Sequence, residues 1–201
     1  RLAARCGIRT DERWWCDALE GLALHVQADY PAAAERFGAA LRSMEPDRAR
    51  EWLEVGDLLD SDGDRARERA AERADVGAID RFWALSDPLF LVPGNDRWTE
   101  HMARRTWSRT REGARNAYSM SWGSDLDELL VRYGWEVGWE RRDPGASIGV
   151  SSSAVGHQDP RSQGFVAPAA AWDASPESPR EEWNPGSRTL PRTGYAPAYA
   201  P

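Results

Sequence analysis

Between Arg81 and Arg142 the chain carries Trp83, Trp98, Trp107, Trp122, Trp135 and Trp139, set around two turn-forming strings, Asp87-Pro88-Leu89-Phe90 and Pro93-Gly94-Asn95-Asp96-Arg97. Indole rings bury large areas and need partners on several sides. Rings distributed between turn residues and charges therefore describe a compact, ordered module rather than filler. The pattern constrains architecture more than chemistry, because no group of residues in it spells out a reaction.

Length and charge set the outer bounds. The 201 residues suffice for one ordinary domain or two small ones, and 41% hydrophobic with 29% charged residues belongs to the globular class. No apolar run approaches the roughly 18 residues that a bilayer crossing needs. All 26 basic residues are Arg, which reads as GC-rich coding, and the net charge of −7 gives no positive field to attract a polyanion. Nucleic acid is thus excluded as an expected partner. The chain starts at Arg1 and stops within a Pro-rich stretch at Pro201, which reads as a fragment of a longer or processed product. Cys6 and Cys16 are too few for a disulfide scaffold and lack Cys-x-x-Cys spacing, so two reduced, partly buried thiols are expected.

A pass along the chain predicts a mainly α protein in four parts: a helical-repeat-like region at 1–60, a charged connecting helix at 61–77, a Trp-rich module at 78–157 and a Pro-rich extended tail at 158–201. Asp11 is placed to cap a helix whose Trp15, Leu19, Leu22 and Val26 form an apolar stripe. Pro31 suits the first turn of a second helix carrying Ala33, Phe37, Ala40 and Leu41. Pro46 opens a third, predicted to run to Leu59. The stretch 64–75, mostly Arg, Glu and Ala, reads as a solvated helix.

A short helix is expected from Ala78 to Leu85, stopped by Asp87-Pro88, and a long one from Asn95 or Asp96 to about Asn116. Ser124 with Asp127 forms a capping-box pattern before a helix over Leu126, Leu129, Leu130 and Tyr133, with Gly134 as its stop. Alternation then predicts a strand at 135–141 and another at 148–155, giving a small antiparallel sheet beside the helices. From Pro144 onward the chain holds nine of the 13 prolines, eight of them in the tail. Its Trp172, Trp183, Tyr195 and Tyr199 are expected to lay aromatic anchors on a neighbouring surface.

Two resemblances follow from these residues. Ala18-Leu19, Gly21, Leu24, Ala33, Phe37, Ala40-Leu41 and Pro46 resemble one tetratricopeptide repeat, with the early Trp out of register and the closing Pro one residue late. That likeness implies a helical scaffold for protein contacts. Arg81-Phe82-Trp83, Ser86-Asp87-Pro88, Pro93-Gly94-Asn95-Asp96-Arg97, Glu100-His101, Trp122-Gly123-Ser124-Asp125 and Arg132-Tyr133-Gly134 resemble the bacterial GWxTD domain family over about residues 80–142. The chain departs from it at Ser121, Ser124 and Trp135-Glu136. The resemblance implies an architecture and a lean towards exported bacterial proteins, with no activity to carry over.

Three functional classes stay in contention. The expected one is a non-catalytic protein-interaction or assembly scaffold with a protein partner, no cofactor, and a functional cluster of Asp87, Asp96, Arg97, Trp98, Glu100, His101 and Arg105. A polar-rimmed aromatic patch exposed as a unit would mark it. The second class is a metal-dependent hydrolase using Asp96, Glu100, His101 and His157, since carboxylates and imidazoles bind divalent ions. Against it, Glu100 and His101 are neighbours that project about 100° apart on a helix, and Asp87 and Asp96 serve as helix caps. The third class, a carbohydrate-binding module, needs exposed Trp rings. No nucleophile elbow, phosphate loop or dinucleotide fingerprint is present.

Overall fold

A computed structural model of the chain describes residues 12–59, 69, 77–87, 92–115, 121–142 and 152–157. The expected charged helix at 61–77 and the Pro-rich tail at 158–201 lie almost wholly outside these residues. The described part is mainly helical. Its elements are α1 Arg13–Val26, α2 Tyr30–Ser43, α3 Pro46–Leu53, a 3-10 turn Gly56–Leu58, α4 Ala78–Ser86, α5 Asp96–Arg111 and α6 Ser124–Tyr133. The backbones of β1 Glu136–Arg142 and β2 Ser152–His157 follow, paired antiparallel with an irregularity between Glu136 and Gly138. Two strands alone are marginal in water, so the helices hold the molecule together. No described helix is long and apolar enough to cross a membrane.

α1 and α2 form a hairpin. Asp29 accepts a hydrogen bond from the Ala32 amide at 3.2 Å, and Pro31 lies in the first turn of α2. The inward face of α1 is Trp14, Ala18, Gly21 and His25, one position back from the expected stripe of Trp15, Leu19, Leu22 and Val26. Val26 is 73% exposed. Glu12, not Asp11, holds the N-cap position, and its carboxylate reaches Arg109 and Arg48. Close approach selects this face: a Cβ at Gly21 would meet the buried Phe37 ring at 2.7 Å. Cys16 is disulfide-bonded, so the expectation of reduced thiols fails there; the other cysteine, Cys6, lies outside the described residues.

Several boundaries move for local reasons. α3 stops at Leu53, six residues before the expected end at Leu59, because Glu54 turns extended and the chain re-enters only as the 3-10 turn. α5 ends at Arg111 instead of Asn116, where Gly113 at φ +72° reverses the chain. Gly123 caps α6, with Ser124 already helical and Asp127 turned to Arg105, so the expected capping box is not formed. Gly134 ends α6 at φ +92°, its amide on the Leu130 carbonyl at 3.0 Å.

Two apolar clusters share α5. One joins Trp14, Ala18, Phe37, Met44 and Trp52 to Met102 and Ala103; the other joins Val55, Leu58, Leu59, Phe82 and Trp83 to Val131. Trp98 packs against both and meets Phe37 edge-on, with ring centres 6.2 Å apart.

Candidate functional site

α5 is unusual in that most of its buried positions are polar, Met102 and Ala103 being the apolar ones. The Asn95 side chain accepts from the Trp98 amide at 2.7 Å and donates to the Trp83 carbonyl at 2.6 Å, which fixes the start of the helix against the end of α4. From there Asp96, Arg97, Thr99, Glu100, His101 and Arg104 are all buried. Charged groups persist in such a place only when paired.

Glu100 is the hub. Its Oε2 accepts from His25 Nε2 at 2.7 Å and its Oε1 from Arg104 Nε at 2.7 Å, while Arg104 Nη1 donates to the Val131 carbonyl at 2.9 Å. The network thereby ties α1 and α6 to α5. Burial by itself raises the Glu100 carboxyl, but the Arg104 guanidinium and the His25 hydrogen bond and charge reverse this and hold it at about 2. The neighbouring Tyr30 hydroxyl is pushed up by burial and by the carboxylates of Asp96 and Glu100.

On its other side His25 Nδ1 lies 3.1 Å from Thr99 Oγ1, so Thr99, His25 and Glu100 line up as hydroxyl, imidazole and carboxylate. That order matches a nucleophile, base and orienting acid. Yet Thr99 is fully buried, and its oxygen also lies 3.2 and 3.1 Å from the Asn95 and Asp96 carbonyls. No substrate reaches it, and the arrangement serves as a latch between helices.

His101 points elsewhere. Its Nε2 donates to the Trp52 carbonyl at 3.1 Å, which assigns that nitrogen the proton. Complete burial, then the charges of Arg105 and Arg97, hold its pKa well below the ordinary value, so the ring is neutral. Arg97 sits 5.6 Å from the Trp83 ring centre. Arg105 pairs with Asp57 at 3.2 Å and Asp127 at 3.4 Å. Asp87 lies buried at the end of α4.

Of the seven residues expected to form a functional cluster, Asp87, Asp96, Arg97, Glu100 and His101 are buried, and Trp98 and Arg105 are half-buried. Trp98 bridges the two cores, and Arg105 alone lines an open cleft. Among the described residues no group of three or more His, Cys, Asp or Glu side chains could hold a metal ion. The large hydrophobics exposed among them, Val26, Val92 and Tyr133, include no Trp. Sequence reasoning missed His25 and Thr99, and it placed Arg104 on the rim of an exposed patch near Trp98, where the structure buries it against Glu100 and the Val131 carbonyl. The signal for His25 was present: it continues the spacing of Trp14, Ala18 and Gly21, and a histidine on an apolar stripe needs a polar partner.

Among the described residues one accessible feature is a cleft of about 460 Å³ where α3, α5 and the start of α6 meet. Arg48, Trp52, Arg105, Arg109 and Trp122 contribute cations and indoles to it, and Glu51, Glu112 and Asp127 contribute carboxylates. Trp122 is oriented by donation from Nε1 to the Ser108 hydroxyl at 2.8 Å. Comparison with known proteins leaves this geometry to speak for itself: no family model, no curated protein and no solved structure matches the chain.

Proposed function

We propose that this chain is a non-catalytic scaffold for protein interaction or assembly, with the cleft between α3, α5 and α6 as its contact site. One observation carries the reading. The carboxylate and imidazoles best suited to chemistry are spent inside, Glu100 on His25 and Arg104 and His101 on the Trp52 carbonyl. What faces outward is a cleft of matched charges and indoles, the composition of a polar recognition surface.

The finer architecture belongs to the same proposal. We read Arg13–Ser43 as a tetratricopeptide-like hairpin and 78–157 as a Trp-rich α+β module with a small antiparallel sheet, a distant variant of the GWxTD family. The disulfide at Cys16 supports an exported protein, since such bonds persist in oxidising compartments.

The test places a photo-crosslinking amino acid at Glu51, exposed beside the cleft. A discrete protein adduct is expected, lost when Ser124→Arg fills the mouth. A stoichiometric metal ion that supports turnover, with turnover abolished in Glu100→Gln, would overturn the reading.

A further inference from the structure

The end of α3 and the turn after it are fastened to α5 through two residues one helical turn apart. His101 Nε2 donates to the Trp52 carbonyl at 3.1 Å, and Arg105 Nη2 donates to the Glu54 carbonyl at 3.3 Å and to Asp57 at 3.2 Å. The same contacts shape the cleft, since Glu51 and Trp52 of α3 line it together with Arg105. α3 itself is short, eight residues of which Trp52 is the buried one, set between the buried Met44 and Val55. An element held by so few buried contacts is the kind that opens while the rest of a fold stays closed.

His101 is badly placed to accept a proton. Its Nδ1, the bare nitrogen of the neutral ring, is buried without a hydrogen-bond partner. α3 meets the ring with the Trp52 carbonyl, and α4 meets it with the Trp83 indole, whose ring centre is 4.9 Å away. The charges that act on it are the guanidiniums of Arg105, Arg97 and Arg104, all on α5. Asp57 of the 3-10 turn and Asp127 of α6 are engaged on Arg105, and Glu100 is engaged on Arg104. A proton on Nδ1 would create a buried N–H with no acceptor and a cation among cations, so it is resisted by desolvation first and by repulsion second.

We infer that the cleft is acid-gated: protonation of His101 frees α3 from α5, so the contact site is assembled at neutral pH and comes apart as the pH falls. In the closed form the ring stays neutral, whereas a released imidazole titrates near its ordinary 6.5. The closed form is therefore favoured above that value, and the open form gains about tenfold for each pH unit below it. The inference adds regulation to the proposed contact site and rests on that reading.

Amide hydrogen exchange of the chain alone, corrected for the intrinsic rate at each pH, tests the gate without a partner. α3 should be less protected than α2 throughout, the mark of a partial opening, and its protection should fall about thirtyfold from pH 7.5 to pH 5. His101→Gln, which keeps a donor for the Trp52 carbonyl and does not titrate, should remove the fall. The yield of the photo-adduct at Glu51 should drop over the same range in the unsubstituted chain, so the gate is tested even if the variant fails to fold. Protection of α3 that is independent of pH, protection equal to that of α2 at every pH, a fall that persists in His101→Gln, or an adduct formed equally at both pH values would each overturn the inference. If no adduct forms at either pH while α3 still opens in acid, the interaction reading falls and the release of α3 stands.

Discussion

Glu100 remains ionised in an apolar interior because His25 and Arg104 each place a donor 2.7 Å from one of its oxygens. Its depressed pKa has a definite consequence for stability. The unfolded chain takes up the proton near 4.5 and the folded one only at about 2, so this contribution is complete above 4.5 and is lost as pH falls towards 2. The gap corresponds to about 3 kcal/mol. Glu100→Gln removes the carboxylate but leaves the Arg104 charge buried, and it should cost about 3–5 kcal/mol in urea titrations at pH 7. A loss below ~1 kcal/mol would mean that Arg104 finds solvent on its own. His101 acts over a higher window. Burial, then Arg105 and Arg97, keep it neutral when folded, whereas the unfolded side chain titrates near 6.5, so stability holds above 6.5 and declines as pH drops below it. His101→Gln, which keeps a donor for the Trp52 carbonyl without titrating, should flatten the dependence of the urea midpoint between pH 7 and 5. An unchanged slope would assign that dependence to another group.

At the scale of elements, the hairpin shows why spacing alone falls one residue short. Trp14 and Trp15 start two stripes about 100° apart on α1, and the Trp15 stripe is the more apolar because it ends on Val26 where the other ends on His25. Hydrophobicity therefore selects the wrong face. What decides is long-range: Glu100 and Thr99 on α5 satisfy His25, and Gly21 admits Phe37. Local signals were readable where they act locally, as at Asp29-Tyr30-Pro31, Asn95 and Gly134. α5 shows the converse, since its Asp, Arg, Glu and His residues look solvated in the sequence and are buried through partners up to 75 positions away. The two glycines of the hairpin separate packing from propensity. Gly21→Ala improves helix propensity by up to ~1 kcal/mol but drives a Cβ into the Phe37 ring, which is fully buried and cannot swing aside. Overpacking of about 1–3 kcal/mol should win and lower the thermal midpoint. Gly38→Ala meets only the flexible end of Arg42 at 3.2 Å, and should raise the midpoint by the propensity gain. The same sign in both variants would show that Phe37 yields.

Among the described residues the two cores are joined through α5, by the Trp98 ring and by His101, whose ring centre lies 4.9 Å from that of Trp83 while its Nε2 holds the Trp52 carbonyl. The Trp14–Phe37–Met102 cluster and the Phe82–Trp83–Val131 cluster have different members, and Trp98 is packed against both. The Glu100 network reinforces that link by joining α1 to α5 and, through Arg104, to α6. Cooperative unfolding follows if neither cluster can lose its packing without stripping contacts from α5. Far-UV circular dichroism and tryptophan fluorescence should then report one coincident transition. Trp98→Ala keeps the helix and the charge network and removes the ring, at a cost of about 3 kcal/mol, the lower end for a large core residue because Trp98 is only partly buried. The larger expectation concerns the shape of the transition. With the bridging ring gone, the α1–α2 side and the α4–α6 side should melt at separate midpoints, seen as transitions by circular dichroism and by tryptophan fluorescence that no longer coincide. A single transition, shifted but still coincident by both probes, would transfer the coupling from the Trp98 ring to the buried Glu100–His25–Arg104 chain. Trp98→Ala combined with Glu100→Gln would then be the variant that divides the molecule.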